Sequence, residues 1–122
     1  MEKRIMRFTV PHTFPGMNEI ITAAKSSRYG YSAMKKRQEG IIRLFIPREP
    51  MFTKRVKVSF LWIEPHELRD CDNICAAKKF FLDALKTAKI IRDDKRLFVS
   101  GLSDDFMTDK RNPRVVVTIE EE

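Results

Sequence analysis

Arg55-Val56-Lys57-Val58-Ser59-Phe60-Leu61-Trp62-Ile63, then the turn Glu64-Pro65-His66-Glu67, then Asp70-Cys71-Asp72-Asn73 and the run onward to Lys89, is the stretch that decides the fold. Val56, Val58, Phe60 and Trp62 fall on one side of an extended chain, with Lys57 and Ser59 on the other. That period of two is the signature of a strand with one buried face. Leu61 and Ile63 make the second side apolar as well, so the far end of this strand is expected to be covered on both faces. From Asp72 onward the apolar positions Ile74, Ala77, Phe81, Leu85 and Ala88 step by three and four, which predicts one continuous helix over residues 72–89.

Outward from this unit, Arg4 to Val10 reads as a first strand with Ile5, Met6, Phe8 and Val10 as its apolar content and Pro11 closing it. A loop through Gly16 leads to Asn18, a suitable N-cap for a short helix reaching about Lys25. Ser26 to Gly30 reads as an exposed break. A second helix is expected from Ser32 to Ile46, with Met34, Gln38, Ile41 and Phe45 on one face, ended by the restriction that Pro47 places on its neighbour. Two last strands are expected near Arg96–Gly101 and Arg114–Glu120, the latter with Val115, Val117 and Ile119 alternating. The polar segment between them, with Asp104, Asp105 and Asp109, reads as a solvated loop. The order is strand, helices, strand, helix, strand, strand. It implies an α+β (mixed α/β) fold in which one small domain, residues 1–122, packs a mixed sheet against two to three helices.

Composition sets limits on function. With 43% hydrophobic and 34% charged residues the chain is that of a folded globular protein. The apolar run around Phe60–Ile63 falls far short of the roughly 20 residues needed to cross a bilayer, so no membrane role is expected. Met1-Glu2-Lys3-Arg4 does not lead into an apolar h-region, and Cys71 and Cys75 do not make a disulfide framework; a reducing cytoplasm is the expectation. The net charge of +7 is unevenly spread. Residues 1–57 carry thirteen Lys/Arg against four Asp/Glu, and residues 58–122 carry eleven against thirteen. A basic half suits a polyanionic partner, although it also serves solubility.

The acids of the second half are clustered. Asp70 and Asp72 stand two apart; in extended chain both would project to one side, where they could share a cation. Asp93-Asp94 lies just beyond the predicted helix 72–89, at the end where the helix dipole gains nothing from a carboxylate and favours Lys86 and Lys89 instead. Two carboxylates about 4 Å apart repel by roughly 4 kcal/mol at an effective dielectric of 20, so a cluster of three calls for a neutralising cation. All-oxygen donors select Mg²⁺, with Mn²⁺ as substitute, over zinc. The same residues also admit a plainer reading, in which Asp72 caps the helix and Asp93-Asp94 form a solvated turn.

A resemblance separates the two. Arg69-Asp70-Cys71-Asp72-Asn73, Lys78-Lys79-Phe80-Phe81-Leu82-Asp83-Ala84-Leu85 and Ile90-Ile91-Arg92-Asp93-Asp94 together resemble the RusA family of Holliday junction resolvases, in the form of its phage and prophage branch. The shared pattern is Asp-x-Asp-Asn, a lysine and Asp-Ala-Leu on a helix, then Asp-Asp. The resemblance implies that Asp70, Asp72 and Asp94 bind the metal and that Lys79, counted back from Asp83, is the catalytic lysine. The gap between Asp72 and that lysine is three residues longer than in the founding pattern, which keeps Lys78 open. On a continuous helix Lys79, two turns beyond Asp72, would return to nearly the same face. The resemblance further implies a Mg²⁺-dependent endonuclease acting on branched DNA in recombination and repair. It also implies a homodimer, since a four-way junction needs two symmetric cuts.

Grip on DNA is expected from the basic half, where Lys25, Arg28, Lys35, Lys36 and Arg37 surround Tyr29-Gly30-Tyr31, with Arg69 and Lys78 beside the acids. Cations neutralise phosphates, and Tyr29 or Tyr31 would stack on an unpaired base. A zinc site built from Cys71 and Cys75 with His66 or His12 lacks a usual ligand spacing. Glu64 and Glu67 are possible auxiliary acids. Two further readings compete with the junction resolvase: a catalytically silent basic DNA-binding module, and a general flap or single-strand nuclease.

Overall fold

The computed structural model describes residues 2–122. Its framework is a four-stranded mixed sheet of β1 (Ile5–Val10), β2 (Val56–Glu64), β3 (Val99–Thr108) and β4 (Arg114–Glu121), in the order β1-β4-β2-β3. β4 runs antiparallel to both β1 and β2, whereas β2 and β3 are parallel. A parallel pair requires a crossover, which here is helical: α3 (Cys71–Cys75) and α4 (Lys78–Thr87). Two further helices, α1 (Met17–Ser26) and α2 (Gly30–Arg43), connect β1 to β2. The α+β class with a mixed sheet is as expected.

The inward residues Met6, Phe8 and Val10 of β1, Val56, Val58, Phe60 and Trp62 of β2, and Val115, Val117 and Ile119 of β4 form one core with Ile42 of α2, Ile74 of α3 and Phe80, Phe81, Ala84 and Leu85 of α4. Phe60 stacks on Trp62 at 5.3 Å between ring centroids, and Phe81 meets both rings edge-on. Parity on β1 places Met6 inside and leaves Ile5 exposed. Ile63 is buried and Leu61 half-buried, so the far end of β2 is indeed covered on its second side.

Four boundaries differ from the expectations. α1 starts after Gly16, not at an Asn18 cap. A Cβ at Gly16 would stand 2.5 Å from Asn73 Oδ1 and 2.9 Å from Arg69 Nη1, so a larger residue there would have to displace these two side chains from the β1–α1 corner. The freed Asn18 N–H donates to Asn73 Oδ1 at 3.1 Å. α2 lies earlier than the predicted 32–46 span: Gln38 and Ile42 are its buried residues, and Leu44 and Phe45 turn outward beyond its end. The predicted helix 72–89 is two helices, broken at Ala76–Ala77. That break removes the argument that Asp72 and Lys79 share the face of a single helix. Finally, β3 spans 99–108 and includes Asp104 and Asp105, which the sequence places in a loop. Residues 101–108 of β3 pair one for one with Lys57–Glu64 of the nine-residue β2, so main-chain ladder bonds outweigh the poor strand propensity of aspartate at this sheet edge.

Candidate active site

The acidic stretch follows β2 across a short corner that Arg69 pins down. Its Nη2 lies 2.7 Å from Oε1 of the buried Glu64, and Nε donates to the same oxygen at 2.9 Å. Nη1 donates to the Phe14 carbonyl at 3.0 Å and lies 3.7 Å from Glu19. A guanidinium with two nitrogens on one oxygen compensates the charge of this buried carboxylate, and here it ties three chain segments together. Arg69 thereby fixes the residue that follows it, Asp70.

Asp70 occupies the N-cap position of α3 with extended backbone, and its carbonyl accepts the Ile74 N–H at 3.0 Å. Its side chain makes no capping bond and is exposed. Asp72 lies in the first turn of α3, not two along an extended strand; it is also exposed, with Oδ1 accepting the Asn73 N–H at 2.9 Å.

Past α4 the chain reverses through Lys89 and returns Asp93 and Asp94 to the side of that helix. The two neighbours have different surroundings. Asp93 accepts the Asp94 N–H at 2.8 Å and lies 3.4 Å from Lys86 and 3.9 Å from Lys95. The Asp94 N–H, helped by Lys86, holds the Asp93 carboxyl below its ordinary range. Asp94 instead meets Lys79, whose Nζ is 3.3 Å from Oδ2. Lys79 also pairs with Asp83 at 3.2 Å. Asp83 first, and then Asp94, keep the Lys79 ammonium above the ordinary lysine range, so it is a fixed cation at neutral pH. Asp94, not Asp93, is thus the acid brought to Lys79.

Lys78 and Lys79 diverge in the same way. Lys78 is bound by Asp104 of β3, whose other oxygen accepts the Trp62 indole N–H at 2.8 Å. Its side chain is 20% exposed against 56% for Lys79. Lys78 is engaged inside and Lys79 is presented. Asp104 was missed in the sequence because it was read as loop. The alternation Leu102-x-Asp104-x-Phe106 and the length of the parallel partner β2 were the available signals.

Among the described residues no three His, Cys, Asp or Glu side chains stand close enough together to hold a metal ion. The donor chemistry of Asp70, Asp72 and Asp94, all carboxylate oxygen, fits a hard divalent cation, and no coordination geometry follows from it. His12 is held by Gln38 at 3.0 Å and lies against Phe14, which draws it into packing. Burial pushes the Cys75 thiol up, with Asp104 adding to the effect, the opposite of what a thiolate ligand or nucleophile needs. A cavity of about 680 Å³ lies between the end of α2 and Ile90, away from these acids.

Of the basic residues, Lys35 pairs with Asp83 at 3.1 Å, while Lys25, Arg28, Lys36 and Arg37 form no ion pair among the described residues. Tyr29 is 67% exposed with Arg28 over its ring, whereas Tyr31 packs towards Phe80. Tyr29 is the tyrosine free to stack.

These features describe a small α+β domain with a Lys79–Asp94 ion pair on α4, exposed aspartates at the start of α3 and exposed basic residues on α1, α2 and the connector between them. The family model described as endodeoxyribonuclease RusA matches residues 17–120, a span that includes Asp70, Asp72, Lys79 and Asp94. The chain belongs to the RusA family of endodeoxyribonucleases. Comparison with curated proteins gives no match. No helix among the described residues is long and apolar enough to cross a membrane.

Proposed function

We propose that this protein is a Mg²⁺-dependent endonuclease that resolves Holliday junctions and related branched DNA, as a cytoplasmic homodimer serving recombination and repair. The observation that carries this is the Lys79–Asp94 pair, in a chain of a nuclease family whose Asp70 and Asp72 are exposed at the start of α3. Asp70, Asp72 and Asp94 would hold the metal, Mg²⁺ or in its place Mn²⁺. When bound, such an ion supplies Lewis acidity, activating the attacking water and offsetting charge on the phosphate.

The remaining work falls to the chain itself. Lys79 places a preorganised positive charge where negative charge grows on the scissile phosphate. Lys78, tied to Asp104, stays out of the reaction and stiffens the join between α4 and β3. Lys25, Arg28, Lys36 and Arg37 neutralise backbone phosphates, and Tyr29 stacks on a base exposed at the branch point. Two copies related by a two-fold axis supply the paired cuts that a four-way junction requires.

The test is a synthetic four-way junction incubated with and without Mg²⁺, beside Asp70→Asn. Paired nicks are expected from the wild type alone, with the variant slower by on the order of a thousandfold. Asp70 is exposed, so the variant is expected to melt with the wild type. The scattered acids favour one other reading, a silent DNA-binding module, since no three of them stand grouped. Junction binding without cleavage in Mg²⁺ and Mn²⁺ would establish it. Equal cutting of flaps and single strands would establish a general nuclease instead.

A further inference from the structure

Asp83, the acid of the Asp-Ala-Leu motif, has no task in the reaction as described. It projects from the middle of α4 between ammonium groups of two helices. Lys79 Nζ, one turn earlier, is 3.2 Å from Oδ1, and Lys35 Nζ of α2 is 3.1 Å from Oδ2. Lys35 meets that oxygen as a charge rather than through an aligned hydrogen bond, and Oδ2 has no directed donor. The Asp83 side chain is only 13% exposed, so it lies at the foot of the more exposed Lys79. Glu39, one turn beyond Lys35, stands 3.9 Å from the same ammonium.

We propose that Asp83 is a positioning residue: anchored to α2 by Lys35, its carboxylate holds the Lys79 ammonium against Asp94 on the reactive side of α4. Fixing a lysine costs much of its side-chain rotamer entropy, and one exposed ion pair offsets little of that. A fork of two carboxylates, one of them shielded and braced from a second helix, restricts it far more. The arrangement also gives Lys35 a role distinct from phosphate binding, because its charge is spent on joining α2 to α4. The alternative is a plain strut between the helices, which would matter for stability and not for the chemical step.

The inference rests on the nuclease reading, and single-turnover cleavage of a four-way junction at saturating protein separates the two. Asp83→Asn is expected to slow the saturated rate by on the order of tenfold to a hundredfold, with junction affinity measured in EDTA within about twofold of wild type. Asp83→Glu restores most of the rate. In a Lys79→Met background Asp83→Asn adds nothing further, the non-additivity of a residue acting through another. Lys35→Met keeps the test open should Asp83→Asn fail to fold; it is expected to slow the saturated rate by about threefold. A wild type that cuts, with Asp83→Asn and Lys35→Met cutting equally fast or losing only melting temperature, overturns the positioning role alone. A wild type that leaves every junction intact in Mg²⁺ and Mn²⁺ removes both readings.

Discussion

α1 and α4 have the same length, ten residues, and opposite constructions. α4 buries Phe80, Phe81, Leu82, Ala84 and Leu85, while α1 buries nothing. α4 carries Lys78, Lys79 and Asp83, each in a defined ion pair; α1 and the connector after it carry Lys25, Arg28 and Tyr29, which extend into solvent. The difference follows from what each task demands. On the proposed function, charge placed at a reacting phosphate loses its value with an ångström of error, so it needs a helix held to the core by several buried residues. Attraction of a polyanion acts over about 10 Å at ordinary salt and tolerates a loose support.

The comparison breaks most visibly in stability. Phe81 contacts Phe14, Phe60 and Trp62, so Phe81→Ala is expected to cost about 3–5 kcal/mol in urea unfolding, through the lost burial and the cavity left behind. Ile21→Ala on exposed α1 is expected to stay within about 0.5 kcal/mol. Comparable losses at the two sites would mean that α1 is as much part of the core as α4, and the division of labour would fail.

A binding measurement sharpens the other half. Lys36 and Arg37, exposed on α2, have no acidic partner among the described residues. Replacing both with Ala is expected to lower junction affinity and to reduce the slope of log K against log salt by about two, one for each released phosphate contact. The saturated cleavage rate should not change. An unaltered salt slope would move the DNA track off α2.

What could be read from the sequence divides along the same line. β2 and β4 were legible because half-buried strands write their burial in alternation, and the acids because their spacing belongs to a recognisable pattern. The break at Ala76–Ala77 was not legible: alanine is an excellent helix former, and the apolar stripe runs through it with unbroken spacing. β3 was hidden for the converse reason, since Asp104 and Asp105 read as a loop until the length of β2 claims them as ladder partners. Asp83 could be quoted from the motif, but its placement between Lys35 and Lys79 depends on α2 crossing α4, which no local pattern encodes.

The smallest expected effect concerns how α4 ends and the chain returns to the site. Lys89 has φ 59°, the left-handed conformation, and follows the C-cap Ala88. The Ile90 N–H donates to the Leu85 carbonyl at 2.9 Å and the Lys89 N–H to Lys86 at 3.1 Å, while Ile90 is buried; this is a Schellman closure with lysine where glycine is usual. A left-handed residue with a Cβ costs about 1–2 kcal/mol, against which glycine loses about 0.5–1 kcal/mol in chain entropy and the lysine charge contributes about 0.3–1 kcal/mol at the helix C-terminus. These terms nearly cancel, so Lys89→Gly is expected to stay within about 0.5 kcal/mol of the wild type, and Lys89→Ala, which keeps the Cβ and drops the charge, to lose about 0.5 kcal/mol. Should Lys89→Gly destabilise by more than that, the lysine charge would outweigh the backbone strain. The return of Asp94 to Lys79 would then be held by electrostatics at the helix end and not by the turn alone.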